Sequence, residues 1–264
     1  MDQLQAETTF FKDIAVKVKD LVKSFEGQAN VAEYKEVDGD FSTEVDIAVE
    51  NLIVAEINKQ FPDDAIMAEE GHSETEIPES RIWLIDPICG TGNLGRGLKS
   101  FCTNIALADK HQLVASCVVD HSRGDFYWSV SGGQVYINDN LYVRRQTDKK
   151  FGVVIDVDLG ALPKADDAHK EKLSRAVFEL VKEPGYMLQS LSSSLGFAYT
   201  GVGKIDGFIN VYNHPWDICA ASFLIQQSGG VITGLDGQPW EITTTGAIGA
   251  ANSEIHRKLL DAYR

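Results

Sequence analysis

Ile82-Trp83-Leu84-Ile85-Asp86-Pro87-Ile88-Cys89-Gly90-Thr91-Gly92-Asn93 is the stretch whose reading decides the fold. Four apolar residues run straight into a carboxylate, as in a short buried strand that ends where loops gather. Pro87 has no backbone N–H and is expected to stop the ladder there. Gly90 and Gly92 let the backbone approach a ligand closely, and free amides at that turn suit a phosphate. The Thr91 hydroxyl lies beside those amides.

On the N-terminal side, Phe10, Phe11, Ile14, Val18, Leu21, Val22 and Phe25 recur at helical spacing, and Gly27 is placed to cap that helix. A polar stretch follows over residues 28–40. Thr43 and Asp46 have the spacing of a capping box opening a second helix through Ile47, Leu52, Ile53 and Ile57. Residues 65–68 read as a buried strand running into Glu69-Glu70-Gly71. Residues 101–108, 112–119, 125–130 and 134–137 read as a meander with glycine turns at Gly124 and Gly132-Gly133.

The second half alternates strand and helix. Strands are expected at 151–157 and 207–212, with helices at 164–182, 192–202, 215–227 and from Ser253 onward. Pro215 stands at a helix first turn and Gly229-Gly230 beyond its end. The expected organisation is an N-terminal α+β half, 1–147, carrying the acidic motifs, and a C-terminal α/β half, 148–264, completing the site. Strands and helices in both halves point to a layered α/β sandwich.

Bulk properties narrow the function classes. The net charge of −15 over 264 residues disfavours nucleic-acid backbones and anionic membranes as partners. It leaves room for a phosphate ester held through a cation, because a metal gathered by carboxylates inverts the local field. Cys89, Cys102, Cys117 and Cys219 are scattered without a CxxC spacing, so neither a disulfide scaffold nor a zinc knuckle is expected. With no apolar run long enough for a span and a polar N-terminus, the chain reads as cytoplasmic.

Three acidic clusters carry the chemistry: Met67-Ala68-Glu69-Glu70-Gly71, the Asp86 stretch, and Pro215-Trp216-Asp217-Ile218-Cys219-Ala220-Ala221. Taken singly each also reads as ordinary structure. Glu69 and Asp86 are suited to capping turns, and Asp217 complements a helix dipole.

In this order and spacing the clusters resemble the inositol monophosphatase superfamily of metal-dependent, lithium-sensitive phosphomonoesterases. Glu69-Glu70, Asp86-Pro87-Ile88-Cys89-Gly90-Thr91 and Trp216-Asp217-Ile218-Cys219-Ala220 ahead of Gly229-Gly230 carry the resemblance. Lys35, Asp40-Phe41-Ser42-Thr43 with Asp46, Phe61-Pro62 and Ala250-Ala251-Asn252 also fit it. The resemblance implies a layered α/β/α/β/α sandwich of the inositol monophosphatase / fructose-1,6-bisphosphatase type, Mg²⁺ as cofactor, a small polyol or sugar phosphate as substrate, and a homodimer. It also implies roles. Glu69, Asp86 and the Ile88 carbonyl would hold a first metal, and Asp86 and Asp217 a second. Asp46 would pair with Thr91 and help order a third ion or its water. Thr91 and Glu69 would orient and deprotonate the attacking water. The Gly90 and Thr91 amides would hold phosphate oxygens, with Lys35 near the carboxylates.

Two positions depart from the family pattern. Cys89 stands where the family has a second Asp that reaches the second metal. Either that site is weakened but recruited by substrate, or a Cys89 thiolate shifts it toward Mn²⁺ or Zn²⁺, or Cys89 is a small apolar residue and the site is lost. In the last case the chain would be a catalytically weak or inactive metal- and phosphate-binding pseudoenzyme with a regulatory or scaffold role. Asn210, seven residues before Asp217, stands where inositol-hydrolysing members carry a Glu that contacts a sugar hydroxyl. An amide donates as well as accepts, so an altered polyol preference is expected. Ser192 is a further candidate to approach substrate, against packing within a small-residue helix. Cys89→Asp is expected to sharpen the Mg²⁺ dependence of turnover. An unchanged metal-activation curve would show that Cys89 does not face the metals.

Overall fold

The computed structural model describes residues 4–25, 30–35, 41–144 and 152–264. The expected Gly27 cap, Asp40, most of the polar stretch and the expected boundary at 147/148 lie outside them. Helix α1 spans Gln5–Ser24 and buries Phe10, Phe11, Ile14, Val18 and Val22. A short ribbon, β1 (Val31–Tyr34) and β2 (Phe41–Thr43), leads into α2 (Glu44–Gln60). The capping box forms as expected. The Thr43 amide donates to Asp46 Oδ2 at 2.9 Å, and the Thr43 hydroxyl bonds the same oxygen. Val45, Val49, Ile53 and Ile57 are then buried at every fourth position on one face.

A seven-stranded sheet runs in the order β3-β4-β5-β6-β7-β8-β9. Its strands are β3 (Ala65–Ala68), β4 (Ile82–Cys89), β5 (Cys102–Asp109), β6 (Gln112–Asp120), β7 (Asp125–Val130), β8 (Tyr136–Ile137) and β9 (Asn140–Leu141). Only β3–β4 is parallel. Strand alternation sends Trp83 and Ile85 toward α1 and α2, where Phe10, Phe11 and Ile53 meet them. Trp83 packs edge-on to Phe10 at 5.1 Å, and its indole N–H donates to Asp64 Oδ2 at 2.9 Å. Ile82 and Leu84 face the other way, and Asp86 shares their parity.

That other face is covered by α5 (Leu195–Gly201) and α6 (Pro215–Gln227). Both helices are buried nearly all round because a second sheet lies on their far side. This sheet has the order β11-β10-β12-β14-β13, from β10 (Val153–Val157), β11 (Tyr186–Gln189), β12 (Gly207–Asn210), β13 (Val231–Thr233) and β14 (Ala247–Ala250). Helices α4 (Asp167–Leu180) and α7 (Ser253–Tyr263) close its outer face with Leu173, Leu180, Ile255 and Leu259. The layers are α/β/α/β/α, as the resemblance implied. Among the described residues no helix is long and apolar enough to cross a membrane.

One polar link pins the middle helices to the large sheet. Asp120, fully buried on β6, accepts at Oδ2 from Tyr127 at 2.5 Å and from Tyr199 of α5 at 2.9 Å. The Lys204 ammonium bonds the Tyr127 hydroxyl and lies over both rings.

Several expectations are corrected. Pro87 does not end β4, which continues to Cys89. The register slips between Asp86 and Cys89, and a bulge is where a proline is tolerated. Residues 162–164 form a 3-10 turn around Pro163, so α4 begins at Asp167 behind the Asp166 cap. Ser192 lies outside α5 at φ 50°, so it is not a helix-packing serine. Strands β1, β2, β9, β11, β13 and β14 are additions. Strands β9 and β11 are exposed edge pieces, and Ala-Ile-Gly-Ala has little strand propensity of its own.

Phe11, on α1, is fully buried against Trp83. Phe11→Ala is expected to lower unfolding free energy by about 3–5 kcal/mol, read from urea denaturation midpoints at constant slope.

Candidate active site

The bulge in β4 builds the site. One extra residue between Asp86 and Cys89 returns a side chain three positions on to the same face of the sheet. Asp86 and its register partner Asn104 meet on that face, Asn104 Nδ2 lying 3.4 Å from Asp86 Oδ2. Cys89 and its partner Cys102 follow. The chain then turns at Gly90, φ 100°, into α3 (Thr91–Gly95). A Cβ at Gly90 would stand 2.9 Å from both the Ser100 carbonyl and Ser193 Cβ, so only glycine fits.

Thr91 Oγ1 lies 2.7 Å from Asp46 Oδ1 and 2.9 Å from the Ile88 carbonyl. Its single proton serves one of these acceptors and its lone pairs remain for another donor. From the parallel strand, the Glu69 amide donates to the Ile85 carbonyl at 3.2 Å, which sets Glu69 beside the end of β4. Lys35 Nζ reaches Glu69 Oε1 at 2.7 Å and Glu70 Oε1 at 2.9 Å. The α6 N-terminus supplies Asp217, whose Oδ2 accepts from the His214 amide at 2.7 Å. Glu69, Asp86, Ile88, Cys89, Gly90, Thr91, Ser192, Asn210 and Asp217 thus line one cavity of about 450 Å³. Lys35 and Asp46 are not in its wall; they reach it through Glu69 and Thr91.

Asn210 is held more tightly than its type suggests. Its amide N–H₂ is committed to Asp158 Oδ2 and the Tyr212 carbonyl, both at 2.9 Å. Two acceptors on that side fix which end is nitrogen, so only the partnerless oxygen is left over.

Four residues were not anticipated. Glu50 is buried and accepts from the amides of Glu70 at 2.8 Å and Gly71 at 2.7 Å, so it shapes the turn after Glu69. Its signal was there, one helical turn after Asp46 on the same face. Asn104 and Ser194 meet at 2.6 Å beneath the carboxylates, and the Ser194 amide donates to Cys89 Sγ at 3.1 Å. Those contacts depend on strand pairing and helix docking, which no local pattern encodes. Asp158 follows β10 as Asp86 follows its apolar run, a parallel that was readable.

The electrostatics are those of acids crowded out of water. Burial pushes Asp86 well above the ordinary carboxylate range, and Cys89, Glu69 and Asp217 add to it. Burial and then Glu69 raise Asp217 to about 7, and burial with Glu69 raises Glu70 to about 7 against the pull of Lys35. Burial likewise raises Asp46, against hydrogen bonds from Thr43 and Thr91. Burial pulls the Lys35 ammonium down, but Glu69 and Glu70 carry it above its usual value. The Cys89 thiol is pushed up, first by its hydrogen bond with Cys102 and then by burial.

Asp86 is 1% exposed and its Oδ1 has no hydrogen-bond partner. An unpaired buried carboxylate oxygen facing two further acids fits a hard divalent cation. Among the described residues no three His, Cys, Asp or Glu side chains converge as a finished cage. Mg²⁺ does not need one, since it keeps waters and takes substrate phosphate. Cys89 is the member that fits a hard ion poorly.

A family model described as the inositol monophosphatase family matches residues 3–264. The chain belongs to that family. An inositol-1-monophosphatase of Mesorhizobium japonicum is 29% identical over 227 residues, covering 86% of this chain and 84% of that one. The Nus factor SuhB of Escherichia coli is 26% identical over 245 residues, covering 92% and 90%. A solved IMPase/NADP phosphatase, complexed with Mg²⁺ and phosphate, superposes with a TM-score of 0.84 at 19% identity over 99% of this chain and 96% of that one, a likeness of fold. Inositol monophosphatase family membership places the chain among phosphatases at the level of the family.

The raised carboxyls set a pH dependence. An acid whose folded pKa exceeds its unfolded value keeps its proton in the folded state while the unfolded chain has lost it, so stability falls as pH rises between the two. For Glu70 and Asp217 that window runs from ordinary carboxylate values to about 7. The metal-free protein is expected to melt at lower temperature at pH 8 than at pH 5, and Mg²⁺ to recover most of the loss at pH 8. A melting temperature that Mg²⁺ does not move at pH 8 would contradict this account of the acids.

Proposed function

We propose that this chain is a Mg²⁺-dependent phosphomonoesterase acting on a small polyol or sugar phosphate. The observation that carries the reading is the buried, half-unpaired Asp86 carboxylate sharing one cavity with Glu69, Asp217 and the Thr91 hydroxyl. Glu69, Asp86, the Ile88 carbonyl and Asp217 would hold the metal, with Cys89 a poor donor at the second position. Bound there, the metal would supply positive charge that acidifies water and offsets charge on phosphate.

The chain's own residues do the rest. Thr91, its proton given to Asp46 or Ile88, presents a lone pair that orients a water, and Glu69, lining the same cavity, takes the proton. Lys35 pairs with Glu69 Oε1 at 2.7 Å and holds that carboxylate in place. The first amides of α3 have no preceding turn to bond and suit phosphate oxygens. The leaving alcohol falls against Asn210 and Ser192, where an acceptor oxygen at Asn210 matches a hydroxyl donor. The acidic surface argues against nucleic acid and membrane as partners, and the reading includes a cytoplasmic homodimer.

A second reading, a weak or inactive phosphate binder with a regulatory or scaffold role, is favoured by two observations. Cys89 is a thiol held protonated where a hard anion would serve, and one relative is named a Nus factor.

Phosphate release from small monoesters with saturating Mg²⁺, wild type against Asp86→Asn, separates the two. The panel holds inositol 1-phosphate, fructose 1,6-bisphosphate, glycerol 2-phosphate, histidinol phosphate and adenosine 3′,5′-bisphosphate. The expected result is turnover that Asp86→Asn lowers at least a thousandfold. Wild-type silence across the panel, with Mn²⁺ as well, would favour the second reading.

A further inference from the structure

All four cysteines are free, and two of them face each other. Cys117 is paired in register with Ile105 and Trp128, and Cys219 lies on α6. Cys89 and Cys102 are direct register partners across β4 and β5, just beyond the bulge. Opposed antiparallel residues stand with Cα atoms about 4.5–5.5 Å apart and side chains on one face. Disulfides span about 4.4–6.8 Å between Cα atoms, a range that a directly opposed pair meets.

The sulfurs are already gathered. Both lie on the α5–α6 side of the sheet, Cys102 in the core and Cys89 packed against it. Ser194 touches each, its amide 3.1 Å from Cys89 Sγ and its hydroxyl 3.4 Å from Cys102 Sγ. Cys89 lines the cavity while Cys102 is fully buried behind it. An oxidant entering the cavity meets Cys89 first and finds Cys102 placed as the second thiol.

We propose that Cys89 and Cys102 form a reversible disulfide that constrains the turn carrying the Ile88 carbonyl and Thr91 and thereby weakens metal binding there. The disulfide itself stands on the strand geometry; its effect on the metal rests on the function proposed above.

The oxidant class is a hydroperoxide. The Cys89 sulfur attacks one peroxide oxygen, the O–O bond breaks, and a sulfenic acid and one water form. The Cys102 sulfur then displaces that hydroxyl as a second water and closes the S–S bond. Two thiols lose two electrons and two protons, and hydrogen peroxide becomes two waters. A dithiol reverses the bond by exchange. The closed ring would contain Thr91 and all of α3, so the turn beside the acids is constrained with it.

The test uses the full chain, held for hours in hydrogen peroxide or in dithiothreitol, then alkylated and digested with trypsin. Cleavage at Arg81, Arg96, Lys99 and Lys110 puts the two cysteines in separate peptides, 82–96 and 100–110. The expected product is their linked mass, two hydrogens below the sum, lost on dithiothreitol, with Cys117 and Cys219 still alkylated. Cys102→Ser, with Cys102→Ala as a second variant should serine disturb folding, should give no linked peptide and leave Cys89 to oxidise further. In parallel, calorimetry should show Mg²⁺ binding at least tenfold weaker after oxidation in wild type and restored by dithiothreitol. Absence of the linked peptide, or linkage of Cys89 to Cys219, would overturn the disulfide. A linked peptide with unchanged Mg²⁺ affinity would overturn the switch. Absent phosphatase activity with the linked peptide present would count against the proposed function alone.

Discussion

A carboxylate sealed between two sheets governs this molecule. Asp86 is almost wholly excluded from solvent and keeps one oxygen unbonded. Burying such a group is costly unless something compensates for it. Proton uptake compensates in part, which is why burial and neighbouring acids raise Asp86, Asp217 and Glu70 together. Lys35 compensates at one edge only, since it reaches Glu69 and Glu70. The fold therefore leaves a deficit of positive charge at one place, and that place is the cavity floor.

The pieces that arrange this are backbone features more than side chains. The bulge at Pro87 brings Asp86 and Cys89 to one face, and the left-handed Gly90 turns the chain into α3 at once. The α2 capping box holds Asp46 where Thr91 can bond it. Glu50, from the same helix, fixes two amides after Glu69. Two helix N-termini and two strand ends meet because the layers stack. No single element carries the site.

Much of this was legible in the chain. The order of acidic motifs disclosed the fold family, and the capping box and α6 fall where their sequence signals lie. The bulge was missed because proline was read by its usual effect on a ladder; only pairing with β5 shows that one extra residue is accommodated there. Asn210 was read from the chemistry of an amide, whereas its neighbours Asp158 and Tyr212 spend both of its donors. Ser194 and Asn104 carry no pattern of their own and acquire a role only when β5 and α5 are packed together. The short edge strands were hidden because their stability comes from the sheet they join.

The Asp120 link between α5 and the large sheet has a consequence for this precision. A helical layer buried by apolar contacts on both sides can rotate or slide slightly at small loss, since greasy surfaces are forgiving partners. A phenol hydroxyl that must find one buried carboxylate, already bonded within the sheet by Tyr127, is not forgiving, because a misplaced layer costs Asp120 and Tyr199 their bond. The link works as an alignment key. It admits one seating of the middle layer, so the acid carried by α6 arrives opposite the acid carried by β4 every time the chain folds.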